Sequence, residues 1–96
     1  MGYRFGWDRE KAISNAHKHG VTFEEASTVF HDPQAFIFDD EDHSEDELRE
    51  IIIGHSMGRR LVIVCCTERV EGIIRIISAR PTTKKERENY EENINF

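Results

Sequence analysis

The sequence predicts an α+β fold, a mainly antiparallel sheet with helices packed on it, in the order β-α-α-β-β-β-β-α. Three observations lead there. Apolar residues recur at helical spacing up to Pro33 and in short β-branched runs after it. Those runs are joined by links too short for crossover helices, so consecutive strands pair antiparallel. A last capping signal follows Pro81 and places a helix at the end of the chain. The length of 96 residues fits one small domain, residues 1–96, with a single thin core.

The opening "YRFGW" alternates Tyr3, Phe5 and Trp7 with Arg4 and Gly6, the period of a short strand with one buried face. Asp8 offers an N-cap, Ala12, Ile13 and Ala16 give a weak apolar stripe, and Gly20 takes the left-handed position that ends a helix over 8–19. A second helix starts at once. Thr22 and Glu25 stand in capping-box spacing, Phe23, Ala26, Val29 and Phe30 form its stripe, and Asp32-Pro33 stops it. "AFIF", "EIIIGHS", "RRLVIVCCT" and "GIIRIISA" follow as four strands. "SMGR" and "ERVEG" suit hairpin turns, and an acidic run makes the longer link between the first two of the four. Thr83 and Glu86 repeat the capping-box spacing at the head of "TKKERENYEENI", the terminal helix. Residues 61–66, Leu-Val-Ile-Val-Cys-Cys, are apolar at every position, so both faces of that strand need cover. The first two helices can cover one face. The chain's own terminal helix, a partner, or both can cover the other.

No apolar run approaches the roughly 20 residues of a membrane span, and the N-terminus lacks the apolar stretch of a signal peptide, so the cytoplasm is the expected location. Gly2 is followed at position 6 by Gly rather than Ser or Thr, and the myristoylation pattern fails. Adjacent in one strand, Cys65 and Cys66 would point to opposite faces, as small apolar residues do, and form neither a disulfide nor a zinc knuckle. The net charge of −6 argues against a phosphate-rich partner only on average. Residues 39–50 hold eight acids against Arg49 alone, a balance of −7, whereas residues 51–90 hold eight cations against four acids, a balance of +4. The protein is electrically two-sided, with a basic half able to meet phosphate.

Of the histidines, His17 and His19 are the closest in sequence to a pair. On a helix they lie about 200° apart and cannot share a metal, and His31, His43 and His55 are scattered without ligand spacing. No metal site and no cofactor are expected. Lys18 and His19 in the last helical turn can simply oppose the helix dipole. That reading leaves open why Trp7, Lys18, His19, Arg75, Arg80, Lys84 and Tyr90 all fall near element ends, where a shared groove could form.

The segments "WDREKAISNAHKHGVTFEEA", "DHSEDELREIIIGHS" and "IRIISARPTTKKERENYEE", in that order, resemble the BrnT family of type II toxin–antitoxin toxins. The resemblance is carried most specifically by Trp7-Asp8 with Lys11, Lys18 and Gly20, by "FEEA", and by Ser78, Ala79, Arg80, Thr83, Glu86, Arg87, Tyr90 and Glu91. It implies a RelE-like fold and a ribonuclease that arrests translation. It also implies neutralisation by a ribbon-helix-helix antitoxin, through which alone the toxin meets operator DNA. Related toxins of this fold cut RNA without metal: the 2′-hydroxyl attacks the adjoining phosphate, one proton is removed, the phosphorane is stabilised and the leaving 5′-oxygen is protonated. Arg80, at the end of the last strand, and Arg75, between Ile73 and Ile77 on one face, could supply forks for phosphate oxygens. Lys18 could add a point charge or act as base, and His19 could serve either proton transfer. Trp7 and Tyr90 could stack on a base, with Lys84 as a further cation for the substrate.

Each residue has a plainer reading: Arg75 as a cation guarding a sheet edge, Tyr90 as a core residue of the last helix. Two other classes also fit. A non-catalytic binding module would keep the fold and act with its antitoxin as co-repressor. A small metallo-hydrolase is favoured by the histidine count and opposed by its spacing.

Overall fold

The computed structural model describes residues 3–43, 47–68 and 72–94. Strand β1 (Arg4–Gly6) leads into helix α1 (Arg9–His19), then α2 (Phe23–Thr28), continued by a 3-10 turn at Val29–His31. Strands β2 (Phe36–Asp39), β3 (Glu50–His55), β4 (Leu61–Glu68) and β5 (Ile73–Pro81) follow, and α3 (Lys84–Ile94) ends the chain. The sheet order is β1-β5-β4-β3-β2, antiparallel throughout except for β1 beside β5. The second hairpin turn expected at "ERVEG" falls on 69–71, outside the described residues.

The local punctuation is chemical. Asp8 accepts the N–H groups of Glu10 and Lys11, and Gly20 closes α1 at φ 70°, its N–H donating to Ala16. Thr22 accepts the Glu25 N–H at the head of α2, but Glu25 does not reach back to complete the box. Its carboxylate takes Ser56 Oγ and the Arg60 guanidinium instead, which ties α2 to the turn between β3 and β4. Arg60, expected inside the strand, belongs to that turn together with Arg59, the last residue of "SMGR". Arg59 sits at φ 64° and donates its N–H to the Ser56 carbonyl.

One face of the sheet carries the core: Ile52, Val62, Val64, Ile76 and Ala79 pack against Val21, Phe23, Ala26 and Val29. Each fully buried aliphatic side chain stabilises by about 1.5–3 kcal/mol. Asn15, buried on α1, donates to the carbonyls of Val21 and Ala79 and accepts the Ala79 N–H, standing in for a neighbouring strand where β1 has ended. Thr82 N–H donates to Leu61, so the bonded residues of β5 here are Arg80 and Thr82. Pro81 therefore lacks an N–H only on the free edge, where none is needed.

The alternation of β5 breaks in the middle. Cys65 pairs with Ser78 but Cys66 pairs with Ile76, leaving Ile77 as the extra residue of a bulge. Strict alternation would put Arg75 and Arg80 on opposite faces. Their partners, Thr67 and Ile63, are four residues apart on β4, so the bulge sets both arginines on the face away from the core. Cys65 and Cys66 divide between the faces as expected, and both are free thiols. Cys66 is buried, and burial pushes its thiol up to about 12.

Candidate active-site groove

The face away from the core is covered only in part. α3 lies over one end of it and leaves a cavity of about 560 Å³ between the sheet and the helix. Its floor is Ile51, Ile53 and Ile63 with Phe36 and Phe38, and Arg80, Glu86, Asn89 and Tyr90 form the helix-side wall. A smaller recess of about 280 Å³ shares Tyr90 and is lined by His55, Arg59, Arg87 and Glu91. Tyr90 stands in the wall of both, between a larger groove with an apolar floor and Arg80 on its wall and a smaller recess bearing Arg59 and Arg87.

Arg80 is firmly placed on the wall of the larger cavity. Its two terminal nitrogens donate to the two oxygens of Glu86, each at 2.8 Å, in a bidentate fork. Glu86 also accepts the Thr83 N–H and donates its own N–H to Thr83 Oγ1, the capping box expected at the head of α3. The Arg80 guanidinium, with the Thr83 contacts behind it, pulls the Glu86 carboxyl down to about 2 against the opposing cost of burial.

Tyr90 anchors α3. Its hydroxyl donates to the Gln34 carbonyl at 3.0 Å, and its ring meets Phe36 and His55 edge-on. Burial, and then the negative Asp32, push its phenol up from the ordinary value. The ring is thus a packed part of the groove wall, its polar tip directed into the protein.

His55 carries an arrangement the sequence does not announce. Asp32 accepts the His55 N–H at 2.7 Å, and the same oxygen lies 3.3 Å from the imidazole Nδ1. Burial opposes the Asp32 charge, yet the His55 and Gln34 N–H groups and the imidazole outweigh it and hold the carboxyl below its ordinary value. Gly54 permits the approach: a Cβ there would stand 2.9 Å from Ala35 Cβ and 3.1 Å from Asp32 Oδ2. Asp32 and His55 are 23 residues apart. The only local signal is Asp32-Pro33, a helix stop whose carboxylate remains free to cap something distant.

The other expected site residues fall in different places. Trp7 and Arg75 line a shallow recess with Gly6, Asp8 and Ile73, where the Trp7 ring also meets Phe23. Four residues of β4 separate the partners of Arg75 and Arg80, roughly 13 Å along the strand. Ile77 is the bulge residue, and the simple face shared by Ile73, Arg75 and Ile77 is interrupted there. Lys84 is exposed on the first turn of α3. Lys18 is exposed and His19 half-buried on the last turn of α1. That turn is pinned to the groove's end of the sheet, because Arg60 donates to the Gly20 carbonyl at 2.6 Å. No hydrogen bond or ion pair among the described residues joins Lys18 or His19 to Arg80. Among the described residues no three His, Cys, Asp or Glu side chains gather as a metal site, and no helix is long and apolar enough to cross a membrane.

Fold and groove together define a small α+β protein with a cation-rimmed cleft on its open sheet face. The sequence over residues 7–86 matches the family described as the ribonuclease toxin, BrnT, of type II toxin–antitoxin systems. The chain belongs to that family, and membership implies an antitoxin partner. The fold is similar to the 1.1 Å crystal structure of the Brucella abortus ribonuclease toxin BrnT, with a TM-score of 0.66 and 21% identity over 86% of this chain and 100% of that one. No curated protein matches the sequence.

Proposed function

We propose that this chain is a metal-independent endoribonuclease that arrests translation in the cytoplasm, with RNA held along the groove between the open sheet face and α3. The observation that carries the reading is that Arg80 lines one hollow and Arg59, Arg87 and His55 its neighbour, with Tyr90 in the wall of both, in a member of a ribonuclease-toxin family. The donor set suits the chemistry. Guanidinium groups stabilise the charge that grows on the phosphoryl oxygens. The 2′-oxygen loses its proton to a base, the new O2′–P bond forms as the P–O5′ bond breaks, and an acid protonates the departing 5′-oxygen. The products are a 2′,3′-cyclic phosphate and a 5′-hydroxyl.

His55, oriented by Asp32, is one proton carrier in reach of the rim. Lys18 and His19, at the same end of the sheet, are the second pair for that role. Arg80 is the principal phosphate fork, Arg75 with Trp7 a contact further along the strand, and Lys84 and Tyr90 parts of the substrate wall. A ribbon-helix-helix antitoxin neutralises the toxin by presenting acidic and apolar side chains toward Arg75 and Arg80, and it alone contacts operator DNA. The test is cleavage of a labelled RNA by purified chain in EDTA, with the new ends identified. Cyclic phosphate ends are expected. RNA that survives EDTA and is cut once a divalent ion is restored would overturn the metal-free reading.

A further inference from the structure

The two long edges of the sheet are finished differently. Beyond the end of β1, the free side of β5 is closed by Asn15, whose side chain satisfies both backbone groups of Ala79. The opposite edge is β2, and nothing among the described residues covers it. All four of its residues are exposed, with Phe36, Ile37 and Phe38 at 37%, 59% and 47%. The ladder fixes which backbone groups are free. Asp40 N–H donates to Arg49 at 2.9 Å, in register with the pairs Phe36–Ile53 and Phe38–Ile51. Bonded residues alternate in an antiparallel pair, so Phe36 and Phe38 turn inward to β3 while Ile37 and Asp39 turn their N–H and C=O outward.

Exposed edges of this kind are usually blunted by lysine, proline or a bulge. This one has apolar side chains on both faces. Phe36 and Phe38 continue the floor of the groove, and Ile37 lines the other face with Tyr3, Phe30 and Ile52. Its C-terminal end runs into Asp39, Glu41 and Asp42, part of the −7 segment at residues 39–50. A second copy of the chain is a poor occupant, because two net −6 molecules would bring two such segments to one interface. An added strand that is apolar on both faces and cationic where it meets Asp39 and Asp42 fits on every count.

We propose that the β2 edge is a docking site for an extended, basic and apolar segment of a partner protein, which adds antiparallel as a sixth strand through the backbone of Ile37 and Asp39. In an antiparallel addition the cations lie at the segment's N-terminal end, opposite the acids. That the antitoxin supplies the segment rests on the proposed toxin reading; the edge and its chemistry do not. The added strand widens the groove floor beside Phe36 and Phe38, and is a contact of opposite sign to the acidic one at Arg80.

The test uses the full chain, isotope-labelled, and an eight-residue peptide of two lysines followed by alternating valine and isoleucine. Saturable binding is expected, with amide exchange slowed at least tenfold at Ile37 and Asp39 and unchanged at Phe36 and Phe38. Ile37→Pro removes only an outward donor and should abolish binding without shifting the melting temperature by more than a few degrees. Should that variant fail to fold, joint Asp39→Lys and Asp42→Lys changes provide a second arm: the lysine peptide should lose at least tenfold in affinity and a glutamate counterpart should gain. Protection elsewhere, equal binding to the charge-reversed chain, or a dimer of the chain itself held through β2 would each overturn the proposal. RNA cleavage is no part of the readout, so failure of the nuclease reading would not mimic failure at the edge.

Discussion

The fork between Arg80 and Glu86 makes the proposed phosphate ligand occupied at rest, and Glu86→Gln tests what that occupation costs. A carboxyl drawn from its ordinary 4.5 to about 2 would correspond to an upper bound of about 3 kcal/mol, at ~1.4 kcal/mol per pH unit. The side chains of Arg80 and Glu86 are 41% and 31% exposed, and solvent screening reduces the contribution to about 1 kcal/mol. Because the folded carboxyl is the more acidic one, this stability is fully present above pH 4.5 and is lost as pH falls toward 2. Glu86→Gln should therefore lower stability by about 1 kcal/mol at pH 7 and little at pH 2, when both chains are compared by urea unfolding. The same change frees the guanidinium fork. Affinity for a non-cleavable RNA bearing 2′-O-methyl groups should rise by up to about fivefold, the equivalent of 1 kcal/mol. A variant whose pH–stability curve overlays the parent between pH 4.5 and 2, or whose RNA affinity falls, refutes the idea that Glu86 holds the site's phosphate ligand.

Arg80→Ala and Lys18→Ala should each relieve toxicity at equal expression, with stability lowered by about 1 kcal/mol or less in urea; full toxicity in both would remove these cations from the site. His55→Gln should slow cleavage by about 10²–10⁴-fold with the melting temperature preserved, since the backbone N–H to Asp32 remains; an unaffected rate would leave Lys18 and His19 as the proton carriers. Asn15→Ala strands both backbone groups of Ala79 and should cost about 2–4 kcal/mol in urea unfolding, whereas a change under 0.5 kcal/mol would mean the edge is satisfied otherwise. Antitoxin association should slow as salt rises while dissociation changes little, because steering toward the basic half is screened and buried contacts are not; a salt-independent on-rate would place the interface elsewhere.

What the sequence makes legible is what depends on neighbours. Asp8, Gly20, Thr22 and the Thr83–Glu86 box act within a few residues, so the three helices can be bounded from spacing alone. The four-stranded meander is equally local, because short turns leave consecutive strands no other partner. The Asp32–His55 contact is not local. Neither residue type nor spacing tells the carboxylate of a helix stop from one that orients an imidazole 23 positions away. The same holds for Arg59 and Arg60, adjacent in sequence. One is consumed by Glu25 and the Gly20 carbonyl while its neighbour stays exposed on the rim, a division decided by where α2 packs.

The bulge at Ile77 shows how far one residue can carry. Were Ile77 paired in strict alternation instead, Ile76 would stand opposite Thr67 and turn out of the core, while Arg75 would stand opposite Glu68 on the core side of the sheet. With the bulge, both arginines of the strand stand on the uncovered face while Ile76 and Ala79 still enter the core. The pattern "IRIISAR" thus has two apolar phases joined by one extra residue, not one strand with a misplaced cation. A period of two read straight through it cannot show this, because each phase alone spans too few residues to establish its own face.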